Sequence, residues 1–269
     1  MFEFGNSGDI LQIVSKGVVR KTECDGKRNK LVNQCLKQAN FKSTHEFFAP
    51  TVFGYGTKDD LFWFDMSYIE GCSPLDFLCQ ADKSSIICFV NSVTSFLEQE
   101  VKESNMQEVE MSVFEQKIFS LNVEDILKEK LLRLVELVKK PLLLPVGRCH
   151  GDFTISNMIF AQGKICLLDF LPCYLESPLQ DIAKLRQDTR HLWLLHKTTN
   201  PNLDLVRLKM VLQFMDTRVV EVFSTYHWYN DYYDLFQQMN LSRILPYTKT
   251  NKLLTLFLEE QINNQCLTH

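Results

Sequence analysis

Apolar and polar positions change their period along this chain, from alternation near the start to helical spacing further on. Ile10-Leu11-Gln12-Ile13-Val14 and Val18-Val19-Arg20-Lys21-Thr22 are β-rich runs divided by Ser15-Lys16-Gly17, which predicts a hairpin. Residues 27–40 place apolar side chains at 31, 32, 35, 36 and 39, a helical pattern. The run from Asp60 to Ile69 is the strongest strand signal of this half, and Glu70-Gly71 breaks it. From 72 to 147 the pattern reads as helical throughout. Ser73-Pro74 opens a helix, Asp82 to about Ser104 carries a stripe of Ile86, Val90, Val93, Leu97 and Val101, and 109–120 form a shorter helix. Asn122 is the expected cap of a run to Lys139. Met158-Ile159-Phe160 and Ile165-Cys166-Leu167-Leu168 then read as two buried strands across a turn at Ala161-Gln162-Gly163-Lys164. Ser177-Pro178 starts a helix reaching Trp193, a long helix follows Pro201, and the last spans about Thr250 to Gln265.

Composition narrows the class without naming it. A chain of 269 residues, 45% hydrophobic and 23% charged, can bury a sizeable core as one large or two lobed domains. Its net charge of −4 offers no general attraction for nucleic acid or anionic membrane. Met1-Phe2-Glu3-Phe4 lacks a secretion signal's basic start, and no later apolar run is long enough to span a bilayer, so a cytoplasmic protein is expected. The nine cysteines include no C-x-x-C pair and read as reduced core thiols. Cys149-His150 with Cys166 and Cys173 does not have the spacing of a zinc pattern.

The chemistry concentrates in Arg148-Cys149-His150-Gly151-Asp152-Phe153-Thr154-Ile155-Ser156-Asn157 and in Leu167-Leu168-Asp169-Phe170. An Asp, an Asn five positions on, and a second Asp after a short hairpin form the spacing with which kinases gather a hydroxyl, Mg²⁺ and ATP. Phosphoryl transfer needs a carboxylate beside the attacking hydroxyl, which Asp152 can be. It also needs hard oxygen ligands for Mg²⁺, which Asn157 and Asp169 can supply. Gly5-Asn6-Ser7-Gly8-Asp9 is either a plain turn or a loop whose N–H groups approach phosphate. Lys21 is taken as the cation for the α- and β-phosphates, with Arg20 as the alternative inward residue. A helix following such a lysine usually supplies a Glu to pair with it, and residues 27–40 contain no carboxylate; Gln34 or Glu46 is left to replace it. In a kinase-like fold the backbone of Ser67, Tyr68 and Ile69 would meet adenine. The segment Leu171 to Pro178 is too short for the long activation segment with which protein kinases present peptides. Asp181 either holds the backbone of the catalytic loop or is solvated, and Glu176, Arg186 and Asp188 are candidate substrate contacts. The aromatics Tyr226, His227, Trp228, Tyr229, Tyr232 and Tyr233 pack a helix junction or, alternatively, cage a quaternary ammonium.

His150-Gly151-Asp152 through Asn157, the Leu168-Asp169-Phe170 hairpin end and Pro178 to Asp181-Ile182-Ala183 together resemble the aminoglycoside phosphotransferase and choline kinase superfamily. The run Ile165 to Trp193 is similar to phosphotransferase-family proteins of bacterial capsule and surface-polysaccharide loci. The resemblance implies an α+β, two-lobed, protein-kinase-like fold, with a small antiparallel-sheet nucleotide-binding lobe at 1–70 and a mainly helical catalytic and substrate-binding lobe at 71–269. It further implies ATP, Mg²⁺ and a small hydroxylated acceptor such as a sugar, polyol or amino alcohol. Carried across, Asp152 is the base, Asn157 and Asp169 are the metal ligands, Lys21 is the phosphate clamp, and His150 and Asp181 support the loop. The missing helix carboxylate and Leu171, where a glycine is usual after Asp-Phe, depart from the pattern. They leave a catalytically degenerate binding protein of the same fold as the alternative.

Overall fold

The computed structural model describes residues 2–4, 9–24, 28–198, 204–248 and 251–265. In chain order the elements are β1 (Phe2–Phe4), β2 (Ile10–Ser15), β3 (Val18–Thr22), α1 (Arg28–Ala39), β4 (Phe47–Phe48), β5 (Val52–Lys58), β6 (Leu61–Ser67) and α2 (Pro74–Gln80). There follow α3 (Lys83–Glu103), β7 (Asn105–Glu108), α4 (Met111–Phe119), α5 (Asp125–Leu137), β8 (Leu143–Val146), β9 (Met158–Ala161) and β10 (Lys164–Leu167). The chain ends with α6 (Pro178–Thr189), α7 (Trp193–Lys197), α8 (Leu205–Phe223), α9 (His227–Ile244) and α10 (Lys252–Gln265). The expected class is borne out: an α+β chain with an antiparallel sheet in its N-terminal region and a helical C-terminal part. The chain divides into two compact units. One comprises the residues up to Gln80 with His150–Asp152 and Ser156–Pro172, and the other comprises Ala81–Cys149, Phe153–Ile155 and the residues from Cys173 on.

In the first unit five antiparallel strands lie in the order β1-β2-β3-β6-β5. The β2–β3 hairpin turns at Gly17, whose φ of 77° suits a residue without a Cβ. β5 was hidden in the sequence by Gly54 and Gly56, but Gly56 has a packing reason, since a Cβ there would come within 3.0 Å of the Trp63 ring. Phe62 and Phe64 on β6 alternate inward and pack on Leu31 and Cys35 of α1. α1 is turned from its apolar stripe: Gln34 and Gln38 are buried while Leu36 is 45% exposed. Gln38 compensates by donating from Nε2 to the Pro50 carbonyl at 2.9 Å. A second sheet, ordered β4-β10-β9, carries the expected hairpin, with Gln162 and Gly163 both at positive φ as a two-residue turn of the I′ kind requires. The parallel strand β4, only two residues long, has no counterpart in the pattern reading.

In the second unit, α3 begins as expected, with the Asp82 carboxylate accepting from the Ser85 N–H. Three expectations fail. The helix opened by Ser177-Pro178 stops at Thr189 rather than reaching Trp193, because Leu192 takes a left-handed backbone, φ 54°, and a separate helix starts at Trp193. Residues 72–147 are not all helical, because Asn105–Glu108 pairs with Leu143–Val146 as a two-stranded antiparallel sheet. Asn122 is not a cap either: α5 starts three residues later behind Glu124, which makes no side-chain capping bond. α6 is capped by Ser177 with Pro178 in its first turn, and every one of its residues is buried because α3, α8 and α9 all pack on it. At the far end Leu254, Leu258 and Ile262 of α10 pack with Trp193, Leu241 and Ile244. No helix among the described residues is long and apolar enough to cross a membrane.

Candidate active site

The loop ahead of β9 closes on itself. Asn157 sits in a single 3₁₀ turn, Ile155–Asn157, and its Nδ2 donates to both the main-chain oxygen and Oδ2 of Asp152, each at 2.9 Å. With its nitrogen so engaged, the amide turns Oδ1 away from the Asp152 carboxylate. The Leu168 N–H donates to the Asn157 carbonyl at 2.9 Å, and Met158 lies opposite Leu167. The hairpin therefore brings Asn157 beside the residue that precedes Asp169, as the spacing predicts.

Asp169 has a left-handed backbone, φ 56°, which costs a non-glycine residue about 1–2 kcal/mol. Its neighbours hold it there. Phe170 is buried, with ring centroids 5.3 Å from Phe41 and 4.3 Å from His150. Leu171 donates its N–H to the His150 carbonyl at 3.0 Å, and its own carbonyl accepts from Lys37 Nζ at 2.8 Å. Phe170 goes in and the Asp169 carboxylate, 42% exposed, goes out. A left-handed backbone retained at a non-glycine residue makes Asp169 a candidate functional position.

Lys21 is the inward cation. Arg20 is accounted for on the other face, bidentate to Asp65 at 2.7 and 2.9 Å and stacked 3.8 Å over Trp63. Lys21 is buried and lies 2.7 Å from Asp169 Oδ1 and 3.7 Å from Asp9 Oδ2. Neither replacement expected for the helix Glu serves it: Glu46 is half-exposed beside His45 at 3.5 Å, and both amide atoms of Gln34 are buried without partners. Asp9, just ahead of β2, is the carboxylate missed by the sequence reading. Its only signal was its place at the edge of the Gly5-Asn6-Ser7-Gly8 loop, and residues 5–8 lie outside the described residues.

His150 supports the loop from within. Its Nδ1 accepts the Asp152 N–H at 3.2 Å. Burial, partly opposed by the neighbouring Asp152, pushes its pKa down to about 4, so the ring is neutral near pH 7. The donor set around the hairpin end consists of carboxylate and amide oxygens, the hard ligands that suit Mg²⁺, beside one buried ammonium that suits phosphate.

Residues 94–206 match the phosphotransferase enzyme family. The matched stretch includes Asp152, Asn157, Asp169 and all of α6. No curated protein sequence matches the chain. Several solved structures do. Glucosamine kinase in complex with glucosamine, ADP and inorganic phosphate is 11% identical, with a TM-score of 0.57 over 99% of this chain and 76% of that one. The streptomycin–ATP complex of aminoglycoside phosphotransferase APH(2″)-IIa is 14% identical, with a TM-score of 0.56 over 96% and 90%. Aminoglycoside phosphotransferase APH(3″)-Id from Streptomyces rimosus, with ADP and streptomycin, is 13% identical, with a TM-score of 0.54 over 90% and 92%. At these identities the likeness is one of fold. Together with the family match it bears out the expected phosphotransferase class.

The remaining expected residues fare unevenly. The N–H groups of Ser67 and Tyr68 donate within the chain, to the carbonyls of Thr51 at 2.9 Å and Gly17 at 2.8 Å, so these two amides do not face a ligand. Ile69 is half-buried just beyond them. Gly71, two residues on, is obligatory, since a Cβ there would lie 2.5 Å from the Phe160 carbonyl oxygen. Asp181 is fully buried, which removes the solvated reading. Arg186 and Asp188 are corrected. Arg186 is buried and bidentate to Asp216 at 2.9 and 3.0 Å, with Tyr229 Oη at 2.6 Å and the Tyr233 ring 4.4 Å away. Asp188, also buried, accepts the Ile155 N–H at 2.9 Å and so braces the loop between Asp152 and Asn157. Neither is open to a substrate, because both are spent on internal polar partners. Glu176 turns its carboxylate toward Cys149 and Cys173. Tyr229 and Tyr233 stack at 5.0 Å with Arg186 over the latter, which favours the packing role for that aromatic group.

Proposed function

We propose that this protein is an ATP- and Mg²⁺-dependent kinase that phosphorylates a hydroxyl of a small sugar, polyol or amino alcohol. The observation that carries the reading is the gathering of Asp169, Asn157 and Asp152 by one hairpin and its preceding loop, with Lys21 of β3 set against Asp169. Asp152 takes the acceptor's proton as the oxygen attacks the γ-phosphorus. Its carboxylate is held for that task by the Asn157 amide. Lys21 binds the α- and β-phosphates, and Asp9 keeps its ammonium in place. Asn157 Oδ1 and the Asp169 carboxylate would hold Mg²⁺, which would supply positive charge to neutralise the transferring phosphate. Ser67, Tyr68 and Ile69 border the adenine through main-chain groups other than the two committed amides.

A small acceptor is favoured over a peptide because only Leu171–Ser177 separates Phe170 from α6. The glucosamine and aminoglycoside ligands of the structural neighbours belong to the same chemical class. The resemblance of Ile165 to Trp193 to capsule-locus proteins suggests an acceptor destined for a surface polysaccharide, phosphorylated in the cytoplasm. The test is ATP consumption with Mg²⁺ across a panel of sugars, polyols and amino alcohols. One alcohol should drive turnover, and Asp152→Asn should lower it by about 10²- to 10⁴-fold while calorimetric binding of Mg·ATP persists. A near-normal rate in that variant rejects the assigned base. A chain that turns over no alcohol in the panel and binds Mg·ATP weakly is instead the degenerate binding protein, a reading motivated by the lack of a carboxylate in α1.

A further inference from the structure

Outside the site just described, three side chains offer metal-ligating atoms to one point. Cys149 Sγ lies 3.5 Å from Cys173 Sγ and 3.2 Å from Glu176 Oε2, and all three ligand atoms fall within 4.8 Å of one another. The distance between sulfurs is far longer than a disulfide's roughly 2.05 Å. It is close to the edge of a tetrahedron around zinc: with Zn–S near 2.3 Å and Zn–O near 2.0 Å, sulfurs stand about 3.8 Å apart and sulfur and oxygen about 3.5 Å. The carboxylate is aimed in advance. Its Oε1 accepts the Cys173 N–H at 3.2 Å, and the Glu176 carbonyl accepts the Gly147 N–H at 2.9 Å, fixing both ends of the residue. Cys149 is buried, and Cys173 and Glu176 are half-buried, so one side of the group remains open to solvent.

We propose that Cys149, Cys173 and Glu176 bind a thiophilic divalent cation, Zn²⁺ by the softness of its sulfur ligands. Binding releases the two thiol protons to solvent. Two thiolates and one carboxylate then surround the ion with a net charge of −1, and water completes the tetrahedron at the open position. This chemistry is distinct from the all-oxygen donor set at Asn157 and Asp169. Cys149 directly precedes His150-Gly151-Asp152, and Cys173 follows Asp169 by four positions, so the ion ties together the two chain segments that flank the catalytic residues. The sequence hid the grouping because the third ligand is a glutamate. His150 and Cys166 are placed otherwise: His150 Nδ1 accepts from the Asp152 N–H, and Cys166 is buried on β10 opposite Ile159 of β9.

The test uses the full chain freed of metal, titrated with Co²⁺ as a spectroscopic stand-in and then with Zn²⁺. One equivalent of Co²⁺ should give a thiolate-to-metal charge-transfer band that Zn²⁺ abolishes. Cys149→Ser and Cys173→Ser should each lose the band, and Glu176→Gln should weaken affinity about 10- to 100-fold. Alkylation of the native protein makes the test independent of whether the variants fold. Zn²⁺ should slow modification of Cys173 at least about tenfold, by occupying its thiolate, while leaving the exposed Cys72 and Cys88 unchanged. Absence of the band, its persistence in the double Cys149→Ser/Cys173→Ser protein, or equal alkylation of Cys173 with and without Zn²⁺ overturns the proposal. All of these readouts are independent of kinase turnover.

Discussion

Arg186 is the residue for which the sequence and the structure make opposite predictions. Read along the chain it is a charge near the catalytic motif, suited to a substrate. In the fold it is a buried strut joining α6 to Asp216 on α8 and to Tyr229 and Tyr233 on α9. Arg186→Met keeps the length of the stem and removes the guanidinium. It deletes two charge-assisted bonds to Asp216, the bond to Tyr229 Oη and the cation–π contact with Tyr233. Breaking a buried ion pair costs about 3–5 kcal/mol, and the desolvated cation–π contact alone about 2 kcal/mol; these overlap rather than add. The Asp216 side chain is 19% exposed and accepts from Thr189 Oγ1 at 2.9 Å, so water and one hydroxyl can still reach it. That places the expected loss at the lower end, about 3 kcal/mol. Asp216→Asn placed on Arg186→Met should cost less than it does alone, with a coupling of about 1–3 kcal/mol. The assay is urea unfolding of the wild type, both single variants and the double variant, together with the KM of the phosphorylated alcohol measured well below the melting range. A core strut leaves that KM within about twofold. A tenfold rise in KM with an unchanged urea midpoint would refute the reasoning and restore Arg186 as a substrate contact.

Other expectations follow from the same geometry. His150 has a folded pKa of about 4, depressed from about 6.5 by burial, so its contribution to stability is complete above pH 6.5 and is lost as pH falls from there toward 4. Between pH 7 and 5 that amounts to about 2 kcal/mol, and His150→Gln should flatten the urea midpoint against pH by this amount. Equal pH slopes in the two proteins would contradict the assignment. Asp188→Ala strands the buried Ile155 N–H and should cost about 1–3 kcal/mol while lowering kcat, because the chain between Asp152 and Asn157 loses its brace; Asp188→Asn, which keeps an acceptor, should recover most of both. Gly71→Ala drives a methyl into the Phe160 carbonyl and should lower stability by about 1–3 kcal/mol, so an unchanged melting temperature would mean that the segment yields more easily than its paired Cys72 and Phe160 amides suggest.

That the candidate site residues converge was legible because they are local in sequence. Asp152, Asn157 and Asp169 sit within one loop and one hairpin, and a two-residue turn with Gly163 fixes which ends meet. Lys21 could be chosen, but its partner could not. Asp9 reaches it through the pairing of β2 with β3, where Leu11 lies opposite Lys21, and no local spacing encodes that register. β7 stayed hidden for a related reason. Asn105-Met106-Gln107-Glu108 has no β-branched residue, and it is extended because Leu143–Val146 supplies an edge to pair with. α6 is the most instructive case, since its sequence has an apolar stripe and a charged side like any surface helix. Periodicity reports which side of a helix is apolar, but it does not say whether the polar side meets water or other protein. Here the polar side meets side chains supplied from far along the chain. Arg186 is matched by Asp216, Gln187 Oε1 accepts from Asn240 Nδ2 at 3.0 Å, and Asp188 takes the Ile155 N–H. Polar residues on a helix buried all round mostly find partners. Arg186 and Asp188 of α6 are therefore unavailable to a substrate, and acceptor-binding residues should be sought among exposed side chains instead.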